Sequence, residues 1–293
     1  MHKKTQTILV PIDFNEQSMF ALERSYTFAK FLGLEIVLLY VFEDSGFGNS
    51  FLSKEEISKK TQEKLDTTAN VIRKKTGLNV ITRLSYGKAY SQVLKISEEV
   101  NARFILMGTN NASENVRMDR NLIGSNTSKV VRQSKIPVIT VNGKSDFGFC
   151  HNILLPLDLT KETRQKVTYA IDLAKSFGSG ITVVSVLWSK KDKETRDELL
   201  QQLNQVQWFI ENENIRCNSE LIETTGGERM LVPGILKYVE DKGNIDLIMI
   251  MTQQENKLIE YFLGSAAQSL IRMSKTAVMT VTPEDIGNEQ LIF

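Results

Sequence analysis

Apolar positions along this chain fall into short dense runs, separated by longer stretches in which they recur every three or four residues. Ile8 to Val10, Ile36 to Leu39, Phe104 to Met107 and Val138 to Val141 are near-continuous apolar runs, as expected of strands covered on both faces. Between the first two, Leu22, Ser25, Phe28, Ala29 and Leu32 recur at helical spacing and leave one stripe to be buried, and Gly33 follows as a helix stop. The pattern predicts strands near 7–12, 35–42, 79–85, 104–108 and 137–141, with helices near 16–32, 53–76, 88–101 and 124–134. The second part of the chain predicts strands near 152–157, 180–187, 216–223, 246–251 and 277–282, with helices near 161–177, 191–213, 228–242 and 264–274. Strictly alternating strands and helices mean a doubly wound parallel sheet with helices on both faces. Ligands in such sheets bind at the carboxyl ends of the strands, where the strand order reverses.

The two parts are copies. Thr7-ILVPIDFNEQS-Ser18 is matched by Asn152-ILLPLDLTKET-Thr163, which pairs Pro11 with Pro156 and Asp13 with Asp158. The next helix keeps this register, mapping Leu22, Phe28 and Leu32 onto Val167, Leu173 and Phe177. Near the end of each copy, Gly124-Ser125 pairs with Gly264-Ser265 and Pro137-Val138 with Ala277-Val278. The expected organisation is therefore a first domain over 1–144, a second over 150–283, and a tail over 284–293.

Composition narrows the function. Lys plus Arg is 36 and Asp plus Glu is 35, a balance that favours neither a nucleic-acid binder nor a polybasic membrane anchor. The apolar runs are too short to span a bilayer, and the N-terminal run is too short for a signal peptide. Cys150 and Cys217 have no metal or redox spacing and read as reduced thiols of a cytoplasmic protein. The only histidines, His2 and His151, sit in no metal or triad pattern. Trp208 and Phe209 are expected to pack onto the sheet.

One stretch carries candidate chemistry. Phe104 to Met107 ends at Gly108, and Gly124-Ser125 then opens a helix beyond the carboxyl end of that strand. Backbone N–H groups and the helix dipole at such a turn can hold a phosphate. Gly124-Ser125 and Gly264-Ser265 also read as simple helix starts with Ser as cap. Asp13 reads equally as a loop or helix-cap residue, Asp158 reads rather as one, and Val41 and Val186 read as strand-end core residues.

The opening ILVPID, the Leu39-Tyr40-Val41 strand end, and ILMG followed by LIGSNTSKVVRQSKIPVITV together resemble the universal stress protein family. The resemblance covers both halves. It implies two Rossmann-like α/β domains, each a five-stranded parallel sheet of order 3-2-1-4-5. It also implies pairing through the last strand of each domain, here within one molecule, and leaves a further homodimer open. Some members bind ATP through Gly-x2-Gly-x9-Gly-Ser/Thr. The carry-over to this chain gives Pro11, Asp13, Val41 and Met107 beside the nucleoside, and Gly108, Gly124, Ser125 and Asn126 at the phosphates, bridged by Mg²⁺. Asn111 stands where the second glycine belongs, with twelve residues between it and Gly124. In the second half Met251 and Gln254 replace both early glycines, so Asp158, Val186, Gly264 and Ser265 form a degenerate set. Glycine lets a backbone approach a phosphate closely, and these replacements obstruct it.

The resemblance thus implies a non-enzymatic stress-response protein that binds an adenine nucleotide in its first domain and acts on a protein partner. The alternative is a nucleotide-free interaction module of the same family. Weak ATP hydrolysis is a further alternative. A nucleotidyl transferase or pyrophosphatase of this broad fold would need a different first loop than Asp13 to Ser18.

Overall fold

The computed structural model describes residues 6–43, 53–109, 123–143, 150–157, 163–187, 193–252 and 265–282. The expectations for Asn111, Asp158, Gln254, Gly264 and the tail fall outside these residues.

The first half runs β1 (Thr7–Pro11), α1 (Glu16–Leu32), β2 (Glu35–Phe42), α2 (Lys54–Thr76), β3 (Val80–Tyr86), α3 (Ala89–Glu99), β4 (Ala102–Gly108), α4 (Ser125–Gln133) and β5 (Val138–Val141). The second runs β6 (Asn152–Pro156), α5 (Thr163–Phe177), β7 (Gly180–Leu187), α6 (Lys193–Asn212), β8 (Cys217–Glu223), a 3₁₀ turn (Glu228–Met230), α7 (Leu231–Lys242), β9 (Leu247–Met251), α8 (Ser265–Met273) and β10 (Ala277–Val281). The ten strands form one sheet in the order β3-β2-β1-β4-β5-β10-β9-β6-β7-β8. Each half therefore has the order 3-2-1-4-5, and every pairing is parallel except the β5–β10 seam. The seam matches Val278 with Thr140, Met279 with Ile139 and Thr280 with Val138. It covers two edges that would otherwise present unpaired backbone groups.

Strand alternation divides the core into two layers. Ile8, Val10, Ile36, Leu38, Phe104 and Leu106 face α1 and α2, and their counterparts face α5 and α6. Leu9, Val37, Leu39, Ile105 and Met107 face α3 and α4, and their counterparts face α7 and α8. The halves also meet outside the sheet. Phe28 of α1 packs edge-on against Phe177 at the end of α5, with ring centroids 5.1 Å apart, and Phe31 stacks on the same ring at 5.6 Å.

Local signals account for the helix ends. Ser53 and Glu56 form a reciprocal capping box at the start of α2, with Ser53 N–H donating to Glu56 Oε2 at 2.8 Å and Glu56 N–H to Ser53 Oγ at 3.2 Å. Gly33 ends α1 in the left-handed region, at φ 63°.

One expectation needs correction. Phe209 packs on the core, but Trp208 is 66% exposed. Leu199, Leu203 and Ile210 fix the buried stripe of α6, and at 100° per residue Trp208 points to the opposite side of the helix from Ile210.

Candidate functional site

The strand order reverses between β1 and β4, and most of the candidate residues of the first half gather where these strands end. Strand parity places Pro11, Val41 and Met107 on the face shared with α3 and α4, the parity of Leu9, Leu39 and Ile105. Met107 is buried, at 7% exposure, while Pro11 and Val41 are half-buried. The start of α4 lies on the same face.

Asp13 follows β1 and is exposed. The chain passes it in a strained turn, because Phe14 takes φ 64°, a left-handed conformation uncommon for a bulky side chain. Asp13 steadies that turn. Its carboxylate accepts from the Asn15 N–H at 3.1 Å and from Asn15 Nδ2 at 2.7 Å. Asn15 in turn caps α1, its Oδ1 accepting from the Ser18 N–H at 2.8 Å. The Phe14 ring stacks on Tyr40 at 5.8 Å with Lys64 Nζ 3.9 Å from its centre. Burial, with the Asp13 carboxylate nearby, raises the Tyr40 phenol above its ordinary range.

Gly108 ends β4 beside the first turn of α1. A Cβ there would lie 2.9 Å from the backbone carbon, carbonyl oxygen and Cβ of Gln17, so this glycine is required by helix–strand packing. Its carbonyl accepts from Thr127 Oγ1 at 3.0 Å, which ties α4 to the strand end. Gly124 takes φ −55° and ψ 142°, a conformation open to any residue. Its N–H donates to the Thr109 carbonyl at 2.7 Å, so that donor is already used within the protein. Gly124, the N-cap of α4, offers no side chain to cap it. Ser125 and Asn126 follow as its first residues, where N–H groups lack an intrahelical acceptor and the dipole favours an anion.

The second half keeps the frame of this site. Leu157 N–H donates to the Val184 carbonyl at 2.7 Å, the counterpart of Ile12 N–H to the Leu39 carbonyl at 2.8 Å. Val186 is buried at 7% exposure, and Ser265 begins α8. Met251 holds the place of Gly108 and packs partly buried against the α5 face of the core. A further change was not anticipated. Lys166, 4% exposed, stands 145 positions after the fully buried Ala21 and donates from Nζ to the Pro156 carbonyl at 2.6 Å. Comparing the two copies for a charge opposite an alanine would have found it. Asn15 and Gln17 were also missed. Asn15 was legible as a cap, whereas the approach of Gln17 to Gly108 is purely tertiary.

A cleft of about 900 Å³ beside α7 and α8, with Met230, Pro233, Lys237 and Met273 in its walls, takes in none of these residues. Among the described residues, no group of three or more His, Cys, Asp or Glu is placed to hold a metal ion. None of their helices is long and apolar enough to cross a membrane.

A doubly wound tandem with helices on both faces of its sheet defines a Rossmann-like α/β protein. The model of the universal stress protein family matches the chain twice, over residues 4–142 and 150–282, and the chain belongs to that family. A universal stress protein of Methanocaldococcus jannaschii is 26% identical over 164 residues, covering 50% of this chain and 98% of its own length. The crystal structure of a universal stress protein from Archaeoglobus fulgidus matches 94% of this chain and 98% of its own, at 25% identity and a TM-score of 0.75. A putative universal stress protein from Pseudomonas aeruginosa matches 96% of this chain and 94% of its own, at 15% identity and a TM-score of 0.71, a likeness of fold.

Proposed function

We propose that this chain is a non-enzymatic, cytoplasmic universal stress protein that binds an adenine nucleotide, ATP with Mg²⁺, in its first half and signals to a protein partner. The observation that carries this reading is a glycine, Gly124, at the N-cap of α4 beside the strand-order reversal, in a backbone conformation that does not itself demand glycine. A missing side chain at such a position leaves room for a ligand to approach the helix N-terminus. Pro11, Val41 and Met107 supply an apolar wall of matching parity for the nucleoside, and Asp13 an exposed carboxylate for ribose hydroxyls. Ser125 and Asn126 supply N–H groups and a hydroxyl for the phosphates. Mg²⁺, when bound, would offset phosphate charge. In the second half the residues Val186 and Ser265 remain, while Met251 stands against this use.

The test is calorimetric titration of the whole chain with MgATP, repeated on Gly124→Val. Valine fits the backbone but projects into the proposed phosphate position, so binding is expected to fall by at least about tenfold. Undiminished affinity in the variant removes the site assignment.

A second reading, an interaction module without nucleotide, is favoured by the hold of Asn15 on Asp13, which occupies the carboxylate internally. On that reading the melting temperature of nucleotide-free protein ignores added ATP, because only a ligand that binds the native state raises it.

A further inference from the structure

Helix α4 has nine residues, too few to hold its place by its own hydrogen bonds. At its start the Thr127 hydroxyl ties it to Gly108, and along its length Val130 and Val131 are buried. Its end is held from the other half of the chain. Ser134, the C-cap, is 2% exposed, and Thr282 Oγ1 donates to its carbonyl at 2.7 Å. A carbonyl at a helix end has no intrahelical donor, and a buried one needs a partner. The reverse contact also exists, for Asn142 Nδ2 of the first half donates to the Arg272 carbonyl in the last turn of α8, at 3.1 Å. Asn142 follows β5 as Thr282 follows β10. Each half therefore caps the other's final helix.

Both contacts connect back to the strand ends. Thr282 Oγ1 lies 3.1 Å from the hydroxyl of Thr252, which follows β9. Beside Asn142, the Gly143 N–H donates to Gln17 Oε1 at 2.9 Å, and it is the Gln17 backbone that abuts Gly108.

We infer that Thr282 of the second half is a positioning residue for the nucleotide cradle of the first. By holding the end of α4, it fixes where the N–H groups of Ser125 and Asn126 stand relative to β1 and β4. Nucleotide affinity in the first half then depends on the second half being docked, and bound nucleotide in turn strengthens the docking by the same factor. This inference rests on the nucleotide reading above.

The test compares wild type, Thr282→Val and Thr282→Ser by MgATP titration and by hydrogen exchange of the amides of residues 125–133. Valine keeps the shape of threonine and removes the donor; serine keeps the donor. Thr282→Val is expected to weaken MgATP binding roughly five- to tenfold and to speed exchange across α4, with Thr282→Ser restoring both. Wild-type affinity and exchange in Thr282→Val would overturn the inference while leaving the nucleotide site standing. Failure of wild type itself to bind MgATP would overturn the nucleotide reading and with it the affinity coupling. The exchange rates would then decide alone whether Thr282 positions α4.

Discussion

Thr140 and Thr280 mirror each other across the seam between the half-sheets: Thr140 Oγ1 donates to the Val278 carbonyl at 3.1 Å, and Thr280 Oγ1 donates to the Val138 carbonyl at 3.2 Å. Both residues are 1% exposed. Their hydroxyls extend the three-pair register of β5 with β10 into a self-complementary junction of the kind a two-fold interface has. Replacing either by valine keeps the packing and removes one buried hydrogen bond, which costs about 1 kcal/mol each. Urea denaturation of Thr140→Val, Thr280→Val and the double variant measures this. Midpoints equal to wild type would mean that the hydroxyls add nothing to the seam.

Gly108 carries a cost of a different kind. A Cβ at this position meets the Gln17 backbone at 2.9 Å, and backbone cannot swing aside as a side-chain tip can. Gly108→Ala should destabilise the chain by about 1–3 kcal/mol through overpacking. It should also shift the amide resonances of residues 15–19 by NMR. A variant as stable as wild type, with those resonances unmoved, would show that α1 yields more readily than this contact suggests.

At the aromatic contact between the halves, Phe28 is the bulkiest fully buried side chain among the described residues. Phe28 is fully buried and touches Phe104 at 6.1 Å and Phe177 at 5.1 Å between ring centroids. Phe28→Ala removes a core ring and leaves a cavity, at a cost of about 3–5 kcal/mol. Calorimetric unfolding should report a lowered transition temperature, and a change below about 1 kcal/mol would argue against tight packing at this junction.

The two cysteines make the stability depend on alkaline pH. Burial pushes the Cys150 thiol up to about 12, with the Asp246 carboxylate adding to the effect against a hydrogen bond involving Ser179. Burial, with Glu211 nearby, pushes Cys217 up to about 12. A thiol that resists ionisation in the fold binds its proton more tightly there than in the unfolded chain. Its contribution is complete below about pH 9, the ordinary thiol value, and declines as pH rises toward 12. Urea midpoints should fall between pH 8.5 and pH 10.5 by more in wild type than in a Cys150→Ala, Cys217→Ala variant. In the same window a thiol reagent should label both only after denaturation.

Where sequence and structure part, the reason is the range of the interaction. The Ser53–Glu56 capping box, Gly33 after α1 and the alternating apolar runs act over a few residues, so they are written in local order. Trp208 was misplaced because helix phase depends on which neighbours the sheet supplies, and two adjacent aromatics cannot both face it. In the candidate site, Gly124 and Ser125 were visible as a helix start after an apolar strand. That Gly108 answers to Gln17, that Asn15 holds Asp13, and that Lys166 reaches the Pro156 carbonyl depended on how α1 and α5 settle on their strands.

By itself, the order of residues determined a duplicated α/β chain, the succession of its strands and helices, and which copy keeps its glycines. Periodic burial and close repetition are properties of a linear pattern. The family resemblance implied that β5 and β10 pair; only the folded chain decided that they run antiparallel, in what register, and that Thr282 and Asn142 each cap a helix of the opposite half. Those contacts join residues 130 or more positions apart, and such a pair is chosen by how the two halves of one sheet join, on which neighbouring residues have no bearing.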